Sequence, residues 1–244
     1  MDYIKDLIKK QGKAHFTLID PENQPPEEAG KCARTCQDYG SSAVMIGGST
    51  VKDGKLVYKT VESIKKQTNL PTILFPNSAQ AISENADYIF YMMLMNSTDR
   101  RFLLGEQIKA APSIKKWGIK PISMGYIIVS MSKYPTTVEK AASLDRITET
   151  DLEKAVSYAL TAEYLNLQCI YLEAGSGAEK PVPNEMIKAV RKETNIPIIV
   201  GGGIRDGKTA KEKTDAGADI IVNGSICEED CGKIRGIIGS IKNI

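Results

Sequence analysis

The chain has 244 residues, of which 42% are hydrophobic and 25% charged, enough for one large core or two small ones. Its 32 basic and 30 acidic residues leave a net charge of +2, which argues against nucleic-acid binding. No apolar run approaches the ~20 residues of a membrane span, and the amphipathic N-terminus lacks the apolar core of a signal peptide. We therefore expect a cytoplasmic protein with neither a membrane span nor a nucleic-acid partner.

Short apolar segments alternate with longer amphipathic ones along the chain. After an N-terminal helix, we predict strands at 14–20, 43–46, 72–75, 87–95, 120–129, 168–173, 196–200 and 219–222. We predict helices at 26–39, 56–67, 98–111, 150–165, 182–194, 206–216 and 226–240. Strands this apolar are buried on both faces, as in parallel sheets. Eight of them predict a single α/β domain over residues 1–244, a (β/α)8 TIM barrel; a doubly wound sheet with fewer strands is the alternative.

Two connections depart from the regular alternation. Eleven residues, 76–86, separate the third and fourth strands, which barely allows a crossover with a full helix. We expect a reduced helix or an extended segment there. The segment 130–151 is the longest stretch of low order, and it is either a functional lid or a surface loop without chemistry.

Three of the predicted strands end in glycine-rich turns that lead into helices. These turns are "YLEAGSG", "VGGGI" and "VNGS", after the sixth, seventh and eighth strands. Glycine permits close approach of the backbone, and a helix N-terminus offers unpaired N–H groups. The last two loops of a (β/α)8 barrel are also its usual phosphate site. The pattern predicts phosphate binding, and tight turns that need a positive φ are the alternative.

Acidic residues lie at the ends of two of these strands. Alternation along the first strand puts Asp20 at the rim, whereas His15 starts that strand on the opposite face, roughly 17 Å away at ~3.3 Å per residue. We therefore interpret His15 as structural. On the sixth strand, Tyr171 and Glu173 share one face beneath the glycine turn. Glu173 either accepts a proton from a hydroxyl of the phosphorylated ligand or pairs with a basic side chain.

The loop after the second strand adds hydroxyl groups to this rim. Ser49 and Thr50 follow that strand, and Asp20 follows the neighbouring first strand. Magnesium in proteins is typically bound by one or two carboxylates and by the phosphates of a substrate. The combination predicts a Mg²⁺ site that serves a second substrate, ideally a diphosphate.

The five cysteines are Cys32, Cys36, Cys169, Cys227 and Cys231. Their odd number and the size of the chain argue against a disulfide framework. Two pairs have i,i+4 spacing on predicted helices, so a four-thiolate metal site is conceivable if those helices are neighbours. The spacing differs from the usual Cys-x-x-Cys. The alternative is that these residues are small buried apolar side chains.

Five motifs in consistent order resemble one known family. "HFTLIDP", "IGGST", "YLEAGSG", "VGGGI" and "VNGS" are similar to segments of the geranylgeranylglyceryl phosphate synthases, which are archaeal prenyltransferases. The family's fold is a modified (β/α)8 barrel that lacks the third helix. The resemblance implies Mg²⁺-dependent transfer of a geranylgeranyl group from its diphosphate to the C3 hydroxyl of sn-glycerol 1-phosphate, which forms the first ether bond of archaeal-type membrane lipids.

The resemblance also implies roles for individual residues. Glu173 matches the residue that takes the proton, Tyr126 lines the prenyl groove, and Asp20 and Ser49 bind the magnesium. The glycerol phosphate is held by Tyr171, Leu172, Glu173, Ala174, Gly175, Ser176 and Gly177. Its phosphate is held by Gly202, Gly203, Gly224 and Ser225.

The sequence departs from relatives at two places. Bacterial relatives that make heptaprenylglyceryl phosphate carry Lys where this chain has Leu18, which favours the archaeal-type branch. Many relatives have a Pro-Gly-rich loop after "GYIIV", where this chain reads "SMSKYPTTVEKAA". The apolar residues of "RRFLLGEQI" belong either to the core or to an interface, and we expect a homo-oligomer.

Three other functions remain as alternatives. A heptaprenylglyceryl phosphate synthase would use the same acceptor with a longer donor. A phosphosugar isomerase or lyase barrel shares the phosphate loops but needs no magnesium and would want a second acid or a lysine. A non-catalytic barrel that binds a phosphorylated ligand would not need Asp20, Ser49 and Glu173 together.

Overall fold

The computed structural model describes residues 2–131, 139 and 142–242, and it confirms the predicted (β/α)8 barrel. All eight strands are parallel and pair in chain order, and β8 closes the barrel against β1. The strands are β1 Ala14–Ile19, β2 Ala43–Ile46, β3 Thr72–Leu74, β4 Tyr88–Leu94, β5 Lys120–Ile128, β6 Cys169–Glu173, β7 Ile198–Gly201 and β8 Ile220–Asn223.

Helices surround this barrel, and no helix in the described ranges is long and apolar enough to cross a membrane. They are α1 Tyr3–Gln11, α2 Pro26–Asp38, α3 Gly54–Gln67, α4 Glu106–Trp117, α5 Leu152–Tyr164, α6 Asn184–Glu193, α7 Gly207–Asp215, α8 Ser225–Glu229 and α9 Ile234–Lys242. A π-helical turn, Arg101–Gly105, precedes α4, and a 3₁₀ turn, Cys231–Lys233, separates α8 from α9.

The helix expected between β3 and β4 is missing, as the short connection predicts. Residues 75–87, all of which the structure describes, form turns and bends instead of a helix. Asp87 stabilises this connection, because its carboxylate accepts hydrogen bonds from the Thr72 backbone N–H at 2.9 Å and from the Thr72 hydroxyl at 2.7 Å. The outer face of the barrel at β3 and β4 is therefore covered by irregular chain and by α4.

Alternation along the strands fills the barrel interior with large side chains. Phe16, Phe90, Met124 and Tyr171 belong to one buried cluster inside the barrel. The amphipathic α1 contributes the buried Ile4 and Leu7 to the same cluster, and its Tyr3 ring stacks on Tyr88 at 4.4 Å. The interior is thus a packed core, and the space for ligands lies at the carboxyl ends of the strands.

Two helix boundaries differ from the sequence-based prediction. The helix predicted at 98–111 begins with the π-helical turn and continues past Pro112 to Trp117. The helix predicted at 226–240 is broken, because Asp230 is extended and its side chain accepts the Gly232 N–H at 2.9 Å. Within the irregular segment predicted at 130–151, residues 132–138 and 140–141 lie outside the described residues.

Asp219 joins three strands at the amino end of the barrel. Its carboxylate accepts hydrogen bonds from Arg191 Nη2 at 2.6 Å, from the Ile198 N–H at 2.9 Å and from Lys13 Nζ at 3.2 Å. Its backbone bonds the Ile198 carbonyl and the Ala14 N–H, so one residue links the starts of β1, β7 and β8.

We expect Asp219→Ala to lower the free energy of unfolding by about 2–3 kcal/mol, because hydrogen bonds to a charged group are lost and their donors stay half-buried. Urea unfolding followed by circular dichroism would measure this. Asp215→Ala is the matched control, since Asp215 is 62% exposed and pairs with Lys211 on the surface of α7. Equal losses in the two variants would contradict the structural role of Asp219.

Candidate functional site

A cavity of about 520 Å³ opens at the carboxyl ends of the strands. It lies where the sequence places the site, and twelve of the fourteen predicted site residues line it. They are Asp20, Ser49, Tyr126, Tyr171, Glu173, Gly175, Ser176, Gly177, Gly202, Gly203, Gly224 and Ser225. Residues from β1, β2, β5, β6, β7 and β8 and from the loops after them therefore meet in one space.

Leu172 and Ala174 are the two predicted site residues that do not line the cavity. Both side chains point outward from β6 into the buried cluster between the barrel and its helices. The pleat requires this, because neighbours on a strand face opposite sides. Ala174 instead contributes its backbone N–H, which donates to the Gly201 carbonyl at 3.1 Å.

Glu173 is the buried carboxyl group of the cavity. Only 7% of the residue is exposed, and its Oε1 accepts the Gly175 N–H at 2.6 Å. The Tyr171 hydroxyl also hydrogen-bonds the carboxylate. Burial raises the pKa of Glu173, and these two hydrogen bonds lower it only in part. A carboxylate with a raised pKa is a better proton acceptor, so this group is suited to general-base chemistry.

Glycines at the end of β7 make room for these two side chains. A Cβ at Gly201 would overlap the Tyr171 hydroxyl, and one at Gly202 would overlap Glu173 Oε1. Gly202 also has φ of +80°, a conformation that costs glycine little and other residues more. The glycine run therefore lets the backbone pack closely against Glu173. It also leaves backbone without side chains facing a ligand.

The loops after β6 and β8 approach each other at the outer edge of the cavity. The hydroxyl oxygens of Ser176 and Ser225 are 3.5 Å apart. Arg205 and Lys233 also line the cavity. Glycine backbone, two hydroxyls and two cations form a surface suited to a phosphate group.

Sequence reasoning missed both of these cations. Arg205 directly follows the "GGGI" turn, so its position next to a predicted phosphate loop was a usable signal. Lys233 gave no such signal, because the sequence predicted a continuous helix from 226 to 240. The extended Asp230 breaks that helix, and the 3₁₀ turn that follows brings Lys233 to the cavity.

Asp20 lines the cavity from the loop after β1, the strand that pairs with β8. Its Oδ1 accepts the Glu22 N–H at 3.0 Å, and Gly48 packs so closely that a Cβ there would overlap the carboxylate. Burial raises the pKa of Asp20, the hydrogen bond from the Glu22 N–H lowers it in part, and the charge of the Glu22 carboxylate raises it. With the Ser49 hydroxyl these are oxygen donors in a partly desolvated place, which suits a hard cation such as Mg²⁺. Thr50 instead donates its hydroxyl to Glu22.

An apolar arm of the cavity passes through the gap left by the missing helix. Tyr126 lies at its inner end, with its ring 5.5 Å from that of Phe75 and 5.4 Å from that of Tyr171. From there the arm runs between the 75–87 segment and α4. Its lining includes Phe75, Ile82, Ile89, Tyr91, Phe102, Ala110 and Ile114. A long hydrocarbon chain matches this shape and lining.

His15 has the structural position that alternation predicts. It is fully buried outside the barrel interior, with Nδ1 3.1 Å from Ser41 Oγ and Nε2 3.2 Å from Asn223 Oδ1. Burial lowers its pKa to about 4. His15 is therefore a neutral hydrogen-bonding group, and it lies outside the cavity lining.

Comparisons with known proteins agree with this geometry. The PcrB family model matches residues 5–241. The geranylgeranylglyceryl phosphate synthase of Thermoplasma volcanium is 45% identical, over 100% of this chain and 98% of the relative. The solved structure of wild-type GGGPS from the same organism superimposes with a TM-score of 0.93 at 44% identity, covering 100% of this chain and 99% of the other.

A second similar structure is that of a ligand complex. It is (S)-3-O-geranylgeranylglyceryl phosphate synthase from Thermoplasma acidophilum in complex with substrate sn-glycerol-1-phosphate. The two chains are 37% identical, each is covered completely, and the TM-score is 0.94.

Proposed function

This chain belongs to the PcrB family, and we propose that it transfers a geranylgeranyl group from its diphosphate to the C3 hydroxyl of sn-glycerol 1-phosphate. The observation that carries the proposal is the convergence of three features on one buried acid. Glu173 lies between a phosphate-binding edge and a long apolar arm. A prenyl transfer to a phosphorylated alcohol needs all three features, and the relative bound to sn-glycerol-1-phosphate supports this acceptor.

The acceptor binds with its phosphate at the outer edge of the cavity. Gly203, Gly224 and Ser225, with Ser176, offer N–H and hydroxyl groups there, and Lys233 adds positive charge. The glycerol carbons then extend inward along β6. Fixing the phosphate and the far hydroxyl at separate points lets the site distinguish the two enantiomers of glycerol phosphate.

Glu173 then holds the attacking hydroxyl and removes its proton. The bond between the prenyl carbon and the diphosphate oxygen breaks, and its electron pair leaves with the diphosphate. The acceptor oxygen forms the new ether bond to that carbon, and its proton passes to Glu173. Tyr171 and the Gly175 N–H hold the carboxylate in place through their hydrogen bonds.

Asp20 and Ser49 are the residues of this site that fit Mg²⁺, and we propose that they hold it. When bound, the ion would neutralise the charge that develops on the leaving diphosphate. Asp20 and Ser49 follow β1 and β2, whereas the phosphate edge is built by the loops after β6, β7 and β8, so the donor diphosphate and the acceptor phosphate have separate sets of ligands.

The apolar arm favours a prenyl donor over the alternatives. A phosphosugar isomerase or lyase acts on a small polar substrate and would have no use for an arm lined by Phe75, Ile82 and Phe102. A non-catalytic binder would not need a buried acid with a raised pKa beside it. Leu18, the residue that favours the archaeal-type branch, also lines the cavity, and Gly224 packs against it.

Two further expectations stay predictions. Leu104 and Ile108, next to the arm on the π-helical turn and α4, are 45% and 56% exposed, which supports a homo-oligomer. Cytoplasmic localisation is likewise proposed from the sequence. We expect the protein to act in the cytoplasm on a prenyl donor, and we expect the cavity to shield that donor from water.

The reaction itself gives the first test of this function. We expect product from sn-glycerol 1-phosphate and geranylgeranyl diphosphate in the presence of Mg²⁺, and little product from sn-glycerol 3-phosphate, because the acceptor is held at both ends. Mass spectrometry of the extracted lipid would measure both, with donors of several chain lengths in parallel. Equal rates with the two enantiomers would contradict the proposed binding of the acceptor.

Replacing the base tests its role. We expect Glu173→Gln to lower turnover by at least ~100-fold, because a positioned base typically contributes 10²–10⁴-fold. Binding of glycerol phosphate should stay within roughly tenfold of the parent, because the amide keeps the size of the side chain. Single-turnover kinetics and calorimetry on one preparation would separate the two.

The matched control for this variant is Glu179→Gln. Glu179 lies in the loop after the same strand, is exposed and does not line the cavity. Near-parent turnover in Glu173→Gln would mean that the carboxylate only orients the acceptor and that the proton leaves by another route.

The proposed metal site is tested separately at Asp20. We expect Asp20→Asn to raise the Mg²⁺ concentration needed for half-maximal rate and to weaken use of the diphosphate far more than binding of glycerol phosphate, because the amide is a poorer ligand. Glu22→Gln is the control, since Glu22 lies in the same loop but outside the cavity lining. An unchanged Mg²⁺ titration in Asp20→Asn would remove Asp20 from this role.

A further inference from the structure

Three cysteine side chains meet outside the barrel, between α2 and the chain that follows β8, and a fourth cysteine lies next to them. The sulfur atoms of Cys32, Cys36 and Cys231 all lie within 4.8 Å of one another. Cys227 is the fourth, and its backbone carbonyl accepts the Cys231 thiol at 2.8 Å and the Cys32 thiol at 3.5 Å. The sequence left open whether the two cysteine-bearing segments are neighbours, and the structure places them together.

The surroundings of these thiols differ from those of a chance surface cluster. Cys36 and Cys227 are at most 1% exposed, Cys32 is 6% exposed, and Cys231 is half-buried. Their present hydrogen bonds go largely to backbone carbonyls, since Cys227 donates to Asn223 at 3.3 Å and Cys231 donates to Cys227 at 2.8 Å. Thiols are weak donors, so these contacts contribute little to holding the segment.

The spacing of three of the four sulfurs suits a tetrahedral thiolate site. A zinc ion with four sulfur ligands at ≈ 2.3 Å has sulfurs about 3.8 Å apart, within the limit found for three of these four. Each pair is separated by three residues, which lies inside the ligand spacing of structural zinc sites. Cys32 and Cys36 are four residues apart and share one face of α2. Cys227 lies on α8 and Cys231 on the 3₁₀ turn beyond the break at Asp230, and the Cys231 sulfur reaches the two sulfurs of α2.

A hydrogen-bonded network supports one of the sulfurs from the barrel side. The Thr17 hydroxyl lies within hydrogen-bonding reach of the Cys36 thiol and is 3.0 Å from Ser41 Oγ, which in turn contacts His15. Supporting contacts of this kind orient the ligands of metal sites.

We propose that Cys32, Cys36, Cys227 and Cys231 bind one Zn²⁺ ion as four thiolates and that this ion fastens the segment after β8 to α2. Binding releases the thiol protons to solvent and involves no change of oxidation state. The ion is structural, because four protein ligands leave no open position for a substrate.

The position of the cluster gives the ion a consequence for the proposed reaction. Ser225 precedes Cys227 by two residues, and Lys233 follows Cys231 by two, and both line the cavity. The segment between them is a helix of five residues, an extended residue and one 3₁₀ turn, which has few backbone hydrogen bonds of its own. Fastening its two cysteines therefore positions one hydroxyl and one cation at the phosphate edge. This consequence rests on the proposed function, whereas the metal site does not.

Metal content tests the site without any activity measurement. We expect purified full-length protein from zinc-supplemented cells to contain one zinc per chain by mass spectrometry of the metals. Protein stripped of metal and loaded with Co²⁺ alone should show the intense thiolate-to-cobalt absorption and the visible bands of tetrahedral cobalt. Cys36→Ser and Cys231→Ser should each lose at least tenfold in zinc affinity in a chelator competition.

Cys169→Ser is the matched control, because Cys169 belongs to the barrel interior and lies outside the cluster. It should keep the metal stoichiometry and the cobalt spectrum. If a cluster variant fails to fold, thiol labelling of the parent protein is measured with and without Zn²⁺ instead. Bound Zn²⁺ should protect four thiols from labelling. Sub-stoichiometric zinc with no cobalt spectrum, iron in place of zinc, or unchanged labelling with added Zn²⁺ would each overturn the proposal.

The consequence for the phosphate edge has its own readout. In Cys231→Ser we expect the KM for glycerol phosphate to rise several-fold while the KM for the prenyl diphosphate changes little, because Asp20, Ser49 and the apolar arm do not belong to the fastened segment 225–233. Loss of metal with an unchanged KM for glycerol phosphate would keep the zinc site and remove its positioning role. If the parent protein turned over neither substrate, that result would instead contradict the proposed function.

Discussion

The Glu173 carboxylate is the group around which this rim is organised, because burying an acid beneath a packed barrel is costly unless its oxygens are hydrogen-bonded. The Gly175 N–H and the Tyr171 hydroxyl supply those bonds. They are available only because β7 ends in glycines, whose missing side chains leave space for both. The same glycines leave backbone N–H groups free to face a ligand. One local constraint thus shapes both the proposed base and part of the proposed anion site.

The absence of a helix between β3 and β4 leaves space for the apolar arm outside the barrel. A complete ring of helices would cover β3 and β4, and the space for ligands would then be limited to the rim. Here Ile89 and Tyr91, which point outward from β4, line the apolar arm instead of packing against a helix. Tyr126 and Phe75 close the arm where it meets the interior. The arm therefore ends next to Glu173, so an apolar chain and a phosphorylated alcohol can meet there.

The sequence predicted the parts of this architecture that depend on period and on turn chemistry. Strand alternation correctly grouped Tyr171 with Glu173 on one face and separated Asp20 from His15, and the glycine turns predicted loops that line the cavity. It did not predict Lys233 at the cavity, because the break at Asp230 depends on one local hydrogen bond. Nor could it show that the cysteine pairs meet, since that depends on how the segment after β8 packs. Leu172 and Ala174 came from the family resemblance, although alternation argues that they face outward.

The phosphate edge takes one contribution each from the loops after β6, β7 and β8, so its geometry depends on how those three strands are held together. At the amino end, Asp219 fixes the starts of β7 and β8 through Arg191 and the Ile198 N–H. At the carboxyl end the strands separate into loops, and the 3.5 Å contact between Ser176 and Ser225 is a weak link. A second attachment point near the β8 loop would therefore limit its motion where the strands no longer do. The cysteine cluster lies at that position, between the chain after Ser225 and α2, the helix that follows β1, and the proposed Zn²⁺ ion would join the two.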